Sequence, residues 1–320
     1  MKKKLLLTIT ILCMLCAFLP TIASAQNTTL TEGIKVTYQG VYIGTSEAMA
    51  TPEELASYGI SFTAGSPAKL TLNNTTIITE SGVDASKKIN DKTVNSAVYT
   101  DTSVEIQFIG TNLIENKSKA EDKYLCGIYS SNNLSLTGTN ASLKIDLSED
   151  TAYNANGSGI YCDENFTNNV VLTINGYKKV NGLYAKSSVT NNDSIVSEAS
   201  NDNFRFTHGI YSDGTLTNNG SIIAKGSTNG VRTVGILTNN GTIEAQNYYA
   251  SSDYQAAVNT NNSIINFGTI SAKCNGTANK GVGIRVMLGT LENKAGGKIV
   301  SSGRYAIYLP PNGAGLSNSG

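Results

Sequence analysis

Leu216-Thr-Asn-Asn-Gly-Ser-Ile-Ile-Ala224 and Leu237-Thr-Asn-Asn-Gly-Thr-Ile-Glu-Ala245 are two copies of one pattern, set 21 residues apart. The asparagine of the pattern recurs at Asn168, Asn191, Asn218, Asn239, Asn266, Asn293 and Asn318, each two residues after an apolar one (Phe166, Val189, Leu216, Leu237, Ile264, Leu291, Leu316). A repeat in the twenties is too short to bury a core of its own, so its apolar faces must stack on neighbouring copies. The pattern therefore predicts a solenoid.

Working outward, the units begin on a small residue: Ala97, Gly127, Gly159, Gly182, Gly209, Gly230, Ala257, Gly283 and Ala306. An aliphatic residue follows in all nine (Val98, Ile128, Ile160, Leu183, Ile210, Val231, Val258, Ile284, Ile307). A third apolar position comes at Leu172, Ile195, Ile222, Ile243, Ile270 and Ile299, with a small residue two further on in most coils: Ser197, Ala224, Ala245, Ala272, Ser301. Apolar residues two apart point to one side of an extended chain, so each unit reads as three short strands with those sites inward. Asn219-Gly220 and Asn240-Gly241 also fit hairpin turns. A meander would reverse chain direction at each turn, however, whereas these positions recur in one direction, as parallel coils about 4.8 Å apart require. The asparagines share the inward side, and a buried amide must be paired. Stacked copies allow each to donate to the next, and in the first two coils Ile106 and Leu136 take their place.

The motif apolar-x-Asn-x-Gly-x-Ile resembles the right-handed parallel β-helix of bacterial surface proteins, notably autotransporter passengers and adhesins, within a wider fold family that includes pectate lyases. The resemblance covers residues 97–320 and implies an all-β, single-stranded right-handed parallel β-helix of about nine or more coils. It speaks to fold far more than to function, because adhesins and polysaccharide-degrading enzymes share it. Upstream, residues 26–96 hold irregular strand-like runs. Thr51, Pro52 and Glu54 there form a helix-start signal and Gly59 a stop, which predicts one short helix in an N-terminal cap.

Lys2, Lys3 and Lys4, the apolar run from Leu5 to Leu19 and Ala23-Ser24-Ala25 make residues 1–25 a signal peptide, with cleavage after Ala25 and a secreted or cell-surface destination. Cys16 lacks small residues before it and is a poor lipidation site. Removing the three lysines leaves 21 Lys plus Arg against 24 Asp plus Glu, a net charge of about −3, with no basic surplus for nucleic acid. No apolar stretch after Ala25 reaches the length of a membrane helix. At the other end, the chain reaches Gly320 in the second strand of a coil, which suggests a continuation. Cys126 and Cys162 lie on neighbouring coils but four residues apart along the strand, about 13 Å. That is beyond disulfide reach, so free thiols are expected.

Two residues after each start the side chain should face outward. There the series runs Tyr99, Tyr129, Tyr161, Tyr184, Tyr211, Arg232, Asn259, Arg285 and Tyr308. An aromatic row on a flat sheet suits an extended glycan or a cell-surface receptor, since rings stack on sugars and hydroxyls bond at the edge. The competing reading is that the tyrosines stack on one another and stabilise the sheet. Length variation gathers before the starts, in loops that carry Phe204, Phe206, Tyr248, Tyr249 and Tyr254. Asp163, Glu164, Lys186, Asp213 and Arg232, beside the tyrosines, form the best catalytic constellation, with Asp163, Lys186 and Asp213 as its centre. Asp163 and Asp213 hold one position two coils apart, about 9.6 Å between backbones, near the upper separation for an inverting glycosidase. His208 is the only histidine and is expected to line a loop, no metal-ligand spacing occurs, and no cofactor is called for. The leading expectation is thus an adhesin-like scaffold that binds carbohydrate or another cell surface. A polysaccharide lyase or glycoside hydrolase is the second reading, and a passive stalk the third.

Overall fold

The computed structural model describes residues 29–120, 122–147, 156–176, 180–199, 207–248, 255–275, 281–311 and 314–319. Residues 1–25, read above as a signal peptide, and the loop residues Phe204, Phe206, Tyr249 and Tyr254 fall outside them.

The chain is an all-β solenoid. Its first strands form a 12-stranded sheet in which Val98, Ile128, Ile160, Leu183, Ile210, Val231, Val258, Ile284 and Ile307 are parallel partners in sequence order. These aliphatics are fully buried as far as Ile284. The second and third strands form two further parallel columns. Leu134–Leu147 and Phe166–Gly176 run unbroken around the corner between them, which joins both columns into one 19-stranded sheet. The sequence register holds throughout. At the last described coil Ile307 and Leu316, which occupy core columns, are 37% and 61% exposed, with no described strand stacked beyond them.

The small start residues have a steric cause. Strand pairing skips from Cys126↔Ser158 to Ile128↔Ile160, and the backbone at the start bends in towards the third strand. A Cβ on Gly159 would come 2.1 Å from Ile174 Cγ2, and one on Gly182 would come 1.7 Å from Ser197 Oγ. The small residues along the third strand answer this approach: the coil that starts at Ala257 carries Ala272 at the facing position.

The asparagine ladder is continuous. Asn168 Nδ2 donates to Asn191 Oδ1 at 2.9 Å, and the same bond passes to Asn218, Asn239, Asn266, Asn293 and Asn318 at 2.7–3.0 Å. The amides from Asn168 to Asn266 also donate to the carbonyl two residues on, as Asn218 does to Gly220 O at 3.1 Å, and Asn293 donates to the carbonyl four on. Donation runs one way, so the ladder has a head. Asn168 Oδ1 is buried without a partner, because Leu136 stacks above it and has nothing to donate.

A second, exposed ladder, not read from the sequence, runs the opposite way. Asn192 donates to Asn169, Asn219 to Asn192 and Asn240 to Asn219, at 2.7–2.8 Å.

At the N-terminal end, Ala68–Asn73 and Thr76–Thr79 pair in parallel with the strands of the coil that begins at Ala97, so the stack starts before that residue. Helix α1 (Pro52–Ser57) lies here, with the Thr51 hydroxyl accepting from the Glu54 N–H at 3.2 Å and Gly59 at φ +73° ending it. Its Leu55 joins the core. Strand β1 (Val83–Ile89) folds back antiparallel on β2 (Lys92–Thr100) through Asn90 and Asp91, both at positive φ. The pairing breaks between Asp84 and Lys88, and this bulge shapes the candidate site.

Candidate functional site

The tyrosine row forms as the repeat requires, and its rings stack. Centroids lie 5.5 Å apart for Tyr99–Tyr129, 5.9 Å for Tyr129–Tyr161, and 4.7 Å for both Tyr161–Tyr184 and Tyr184–Tyr211. The row is not open along its length, however. Tyr129 and Tyr161 are only 1% and 3% exposed, in a cluster with Ala85 of the bulge, Tyr124 and Cys126. Tyr124 meets Tyr161 edge-on and shares a hydrogen bond with Ser158 at 2.8 Å. Outward-facing residues of one sheet have thus acquired a cover from β1. Tyr99, Tyr184 and Tyr211 remain half-buried, as does Arg232, whose guanidinium lies 5.1 Å over the Tyr211 ring.

Two aspartates fix the hydroxyls. Tyr129 donates to Asp163 Oδ2 at 2.7 Å, while Tyr184 and Tyr211 donate to the two oxygens of Asp213 at 2.8 and 2.6 Å. Tyr–x–Asp spacing places ring and carboxylate on one side of a strand, and this signal was present in the sequence as Tyr161-Cys-Asp163 and Tyr211-Ser-Asp213. Burial first, and then the bond to Asp213, pushes the Tyr211 phenol up to about 12. Burial pushes Tyr129, Tyr161 and Tyr184 up as well.

Asp163 is also ion-paired to Lys186 Nζ at 2.8 Å and to Lys87 Nζ, from the bulge, at 3.4 Å. Burial would raise its carboxyl, but Lys186 and the Tyr129 hydroxyl outweigh that and hold it below the usual carboxylate range. Lys186, although partly desolvated, is correspondingly raised by Asp163. The structure therefore brings Asp163 and Lys186 together, and leaves Asp213 two coils away among phenols. A general acid needs a carboxyl held protonated, and Asp163 is held the other way. Lys87, which latches β1 over the row, was not legible as a site residue.

His208 stacks on Tyr211 at 5.1 Å and meets Asn229 Nδ2 through Nδ1 at 3.1 Å. Burial, and then the charge of Arg232, pull it down to about 3. A histidine depressed in the folded state contributes stability that is present above its unfolded value of about 6.5 and is lost as pH falls towards the folded value. Thermal stability should accordingly fall as pH drops from about 6.5 to about 3, and more steeply in the wild type than in His208→Gln. Parallel pH profiles of melting temperature would refute that assignment.

Cys126 and Cys162 are free thiols, and the Cys274 thiol donates to Asn247 Oδ1 at 3.6 Å. The register puts Ser158 opposite Cys126 and Ser130 opposite Cys162, as the four-residue offset requires. Burial raises both thiols, Cys162 to about 12. Among the described residues no group of histidine, cysteine or acidic side chains could hold a metal ion, and no helix is long and apolar enough to cross a membrane.

No protein-family model, curated protein or solved structure matches the chain.

Proposed function

We propose that this chain is a secreted or cell-surface solenoid, of the adhesin-like kind its repeats resemble, that holds an extended carbohydrate along Tyr184, Tyr211 and Arg232. The observation that carries this reading is the half-buried end of the tyrosine row, where two rings at 4.7 Å spacing keep their hydroxyls fixed on Asp213. Rings so held lose little freedom when a sugar packs on them, and pre-organisation of this kind favours binding. Tyr129 and Tyr161 enter the reading as the buried spine that positions this end. Asp163 enters it as a brace of the row rather than as an acid.

The test is a glycan array probed with the full chain and with a Tyr184→Ala/Tyr211→Ala variant. Binding to extended saccharides that falls at least tenfold in the variant, with the melting temperature changed by a few degrees at most, is the expected result. A wild-type chain that binds no saccharide would leave the passive stalk. That second reading is favoured by the burial of Tyr129 and Tyr161 among other side chains.

A further inference from the structure

Strand β1 covers the middle of the tyrosine row, and little holds it there. Its register with β2 is Val83↔Ser96 and Asp84↔Asn95 at one end, and Lys88↔Thr93 and Ile89↔Lys92 at the other. Ala85, Ser86 and Lys87, the residues between, have no partner in that register and form a strap across the row. Only Ala85 of the three is buried, so the apolar hold of the strap is one methyl group. Two ion pairs complete the attachment. Lys87 Nζ lies 3.4 Å from Asp163, and Lys123 Nζ lies 2.7 Å from Asp84, which also accepts from Asn95 Nδ2 at 2.8 Å. The Lys87 and Asp84 side chains are 41% and 51% exposed, so water and salt screen both pairs and neither holds strongly.

Release of the strap would leave no buried charge behind. Asp163 keeps Lys186 at 2.8 Å and the Tyr129 hydroxyl at 2.7 Å, while the Lys87 ammonium passes into water. Room for the movement is present too, as a cavity of about 500 Å³ where Ser86 and Lys87 meet Tyr99, Tyr129, Asp163 and Lys186. Positive φ at Gly82, Asn90 and Asp91 marks the turns from which the strap hangs. Beneath it Tyr124, Tyr129, Tyr161 and the Cys126 thiol are at most 4% exposed.

We infer that the Ala85–Lys87 strap is a lid, which opens without unfolding the coils and uncovers the middle of the tyrosine row. Closed, it divides the face into Tyr99 on one side and Tyr184 with Tyr211 on the other. Open, five rings from Tyr99 to Tyr211 run on for four inter-strand steps, about 19 Å. Opening that breaks so few contacts lies far below global unfolding in free energy. Use of the uncovered rings by a saccharide rests on the carbohydrate reading given above; the opening itself does not.

Cys126 reports the opening, because its thiol lies in the covered cluster. Cys162 is the control: it belongs to the interior core and donates to Asn132 O and Asn165 O. The full chain is treated with N-ethylmaleimide under native conditions, and peptide mapping by mass spectrometry follows each cysteine against its own rate in the denatured chain. Where closing outruns the reagent, labelling measures the open population. Cys126 should react at least about tenfold faster than Cys162 on that scale. Added salt and Lys87→Gln should each raise the Cys126 rate by about two- to fivefold and leave Cys162 as it was. Equal protection of the two thiols, or a Cys126 rate indifferent to salt and to Lys87→Gln, overturns the lid and leaves the carbohydrate reading standing. Labelling as expected in a chain that binds no saccharide on the array supports the lid and overturns that reading.

Discussion

Asn218→Asp should be the most damaging single-atom change in the solenoid. Asn218 is fully buried, and its Nδ2 donates to Gly220 O, Asn239 Oδ1 and Thr242 O at 2.8–3.1 Å. In the variant an oxygen faces those three oxygens. If ionised, it is a buried charge among acceptors; if protonated, it has one hydrogen for three of them. Gly220 O keeps its bond from the Thr242 N–H, but Asn239 Oδ1 is left bare at about 1–3 kcal/mol and an uncompensated charge or oxygen–oxygen contact is buried beside it, so a loss of about 3–5 kcal/mol is expected. The pH dependence separates this from a packing effect. The carboxyl would be raised in the folded state, so the deficit should be smallest below about pH 4, the unfolded value, and should grow as pH rises from there. Denaturant midpoints at pH 3.5 and pH 7, referred to wild type at each, measure it. A deficit independent of pH would refute the mechanism.

The one-way ladder adds an internal control. Asn168→Leu only moves the bare acceptor from Asn168 to Asn191, whereas Asn218→Leu creates a new one at Asn239 while the original remains. The mid-ladder substitution should therefore cost about 1–3 kcal/mol more than the one at the head. Stacked repeats can lose stability locally, so hydrogen exchange in the affected coils should accompany the global midpoint.

Gly159→Ala is the second large effect. Its Cβ would sit 2.1 Å from Ile174 Cγ2 and 2.8 Å from Gly182 O, inside a strand paired on both sides, where neither neighbour yields freely. Overpacking of this kind costs about 1–3 kcal/mol or more. Trimming the obstacle should recover part of it, so Gly159→Ala combined with Ile174→Ala should cost less than the sum of the two single changes. Strict additivity in melting temperature or denaturant midpoint would show that the clash is relieved elsewhere.

Much of this was legible in the sequence because a solenoid writes its register repeatedly. Val98 to Ile307 and Asn168 to Asn318 recur in one order, and a single mispairing would have broken every later copy. The small residues Ser197, Ala224 and Ala245 were visible as a pattern, but their reason, the inward bend of the start glycines, is a matter of separation across the coil that strand periodicity does not express. The site was read less completely. Tyr129 and Tyr161 do face outward, as period two requires, yet whether an outward residue meets water depends on what crosses it. Here the Ala85–Lys87 bulge crosses three coils to reach Asp163, and nothing in the repeat encodes that path. The outer ladder of half-buried Asn169 and exposed Asn192, Asn219 and Asn240 is less legible for a different cause: a solvent-facing asparagine can bond to water as well as to its neighbour, so the pattern alone does not require the pairing.

The two ladders have an electrical consequence. Each side-chain amide is a dipole, and alignment along the stack adds them. Between Asn168 and Asn240 the inner and outer columns point in opposite senses and largely cancel. Phe267 then takes the outer position, so beyond Asn240 the inner column continues alone. Its ladder N–H groups all point onward, which leaves the coils from Asn239 to Asn318 with a net polarity directed along the stack.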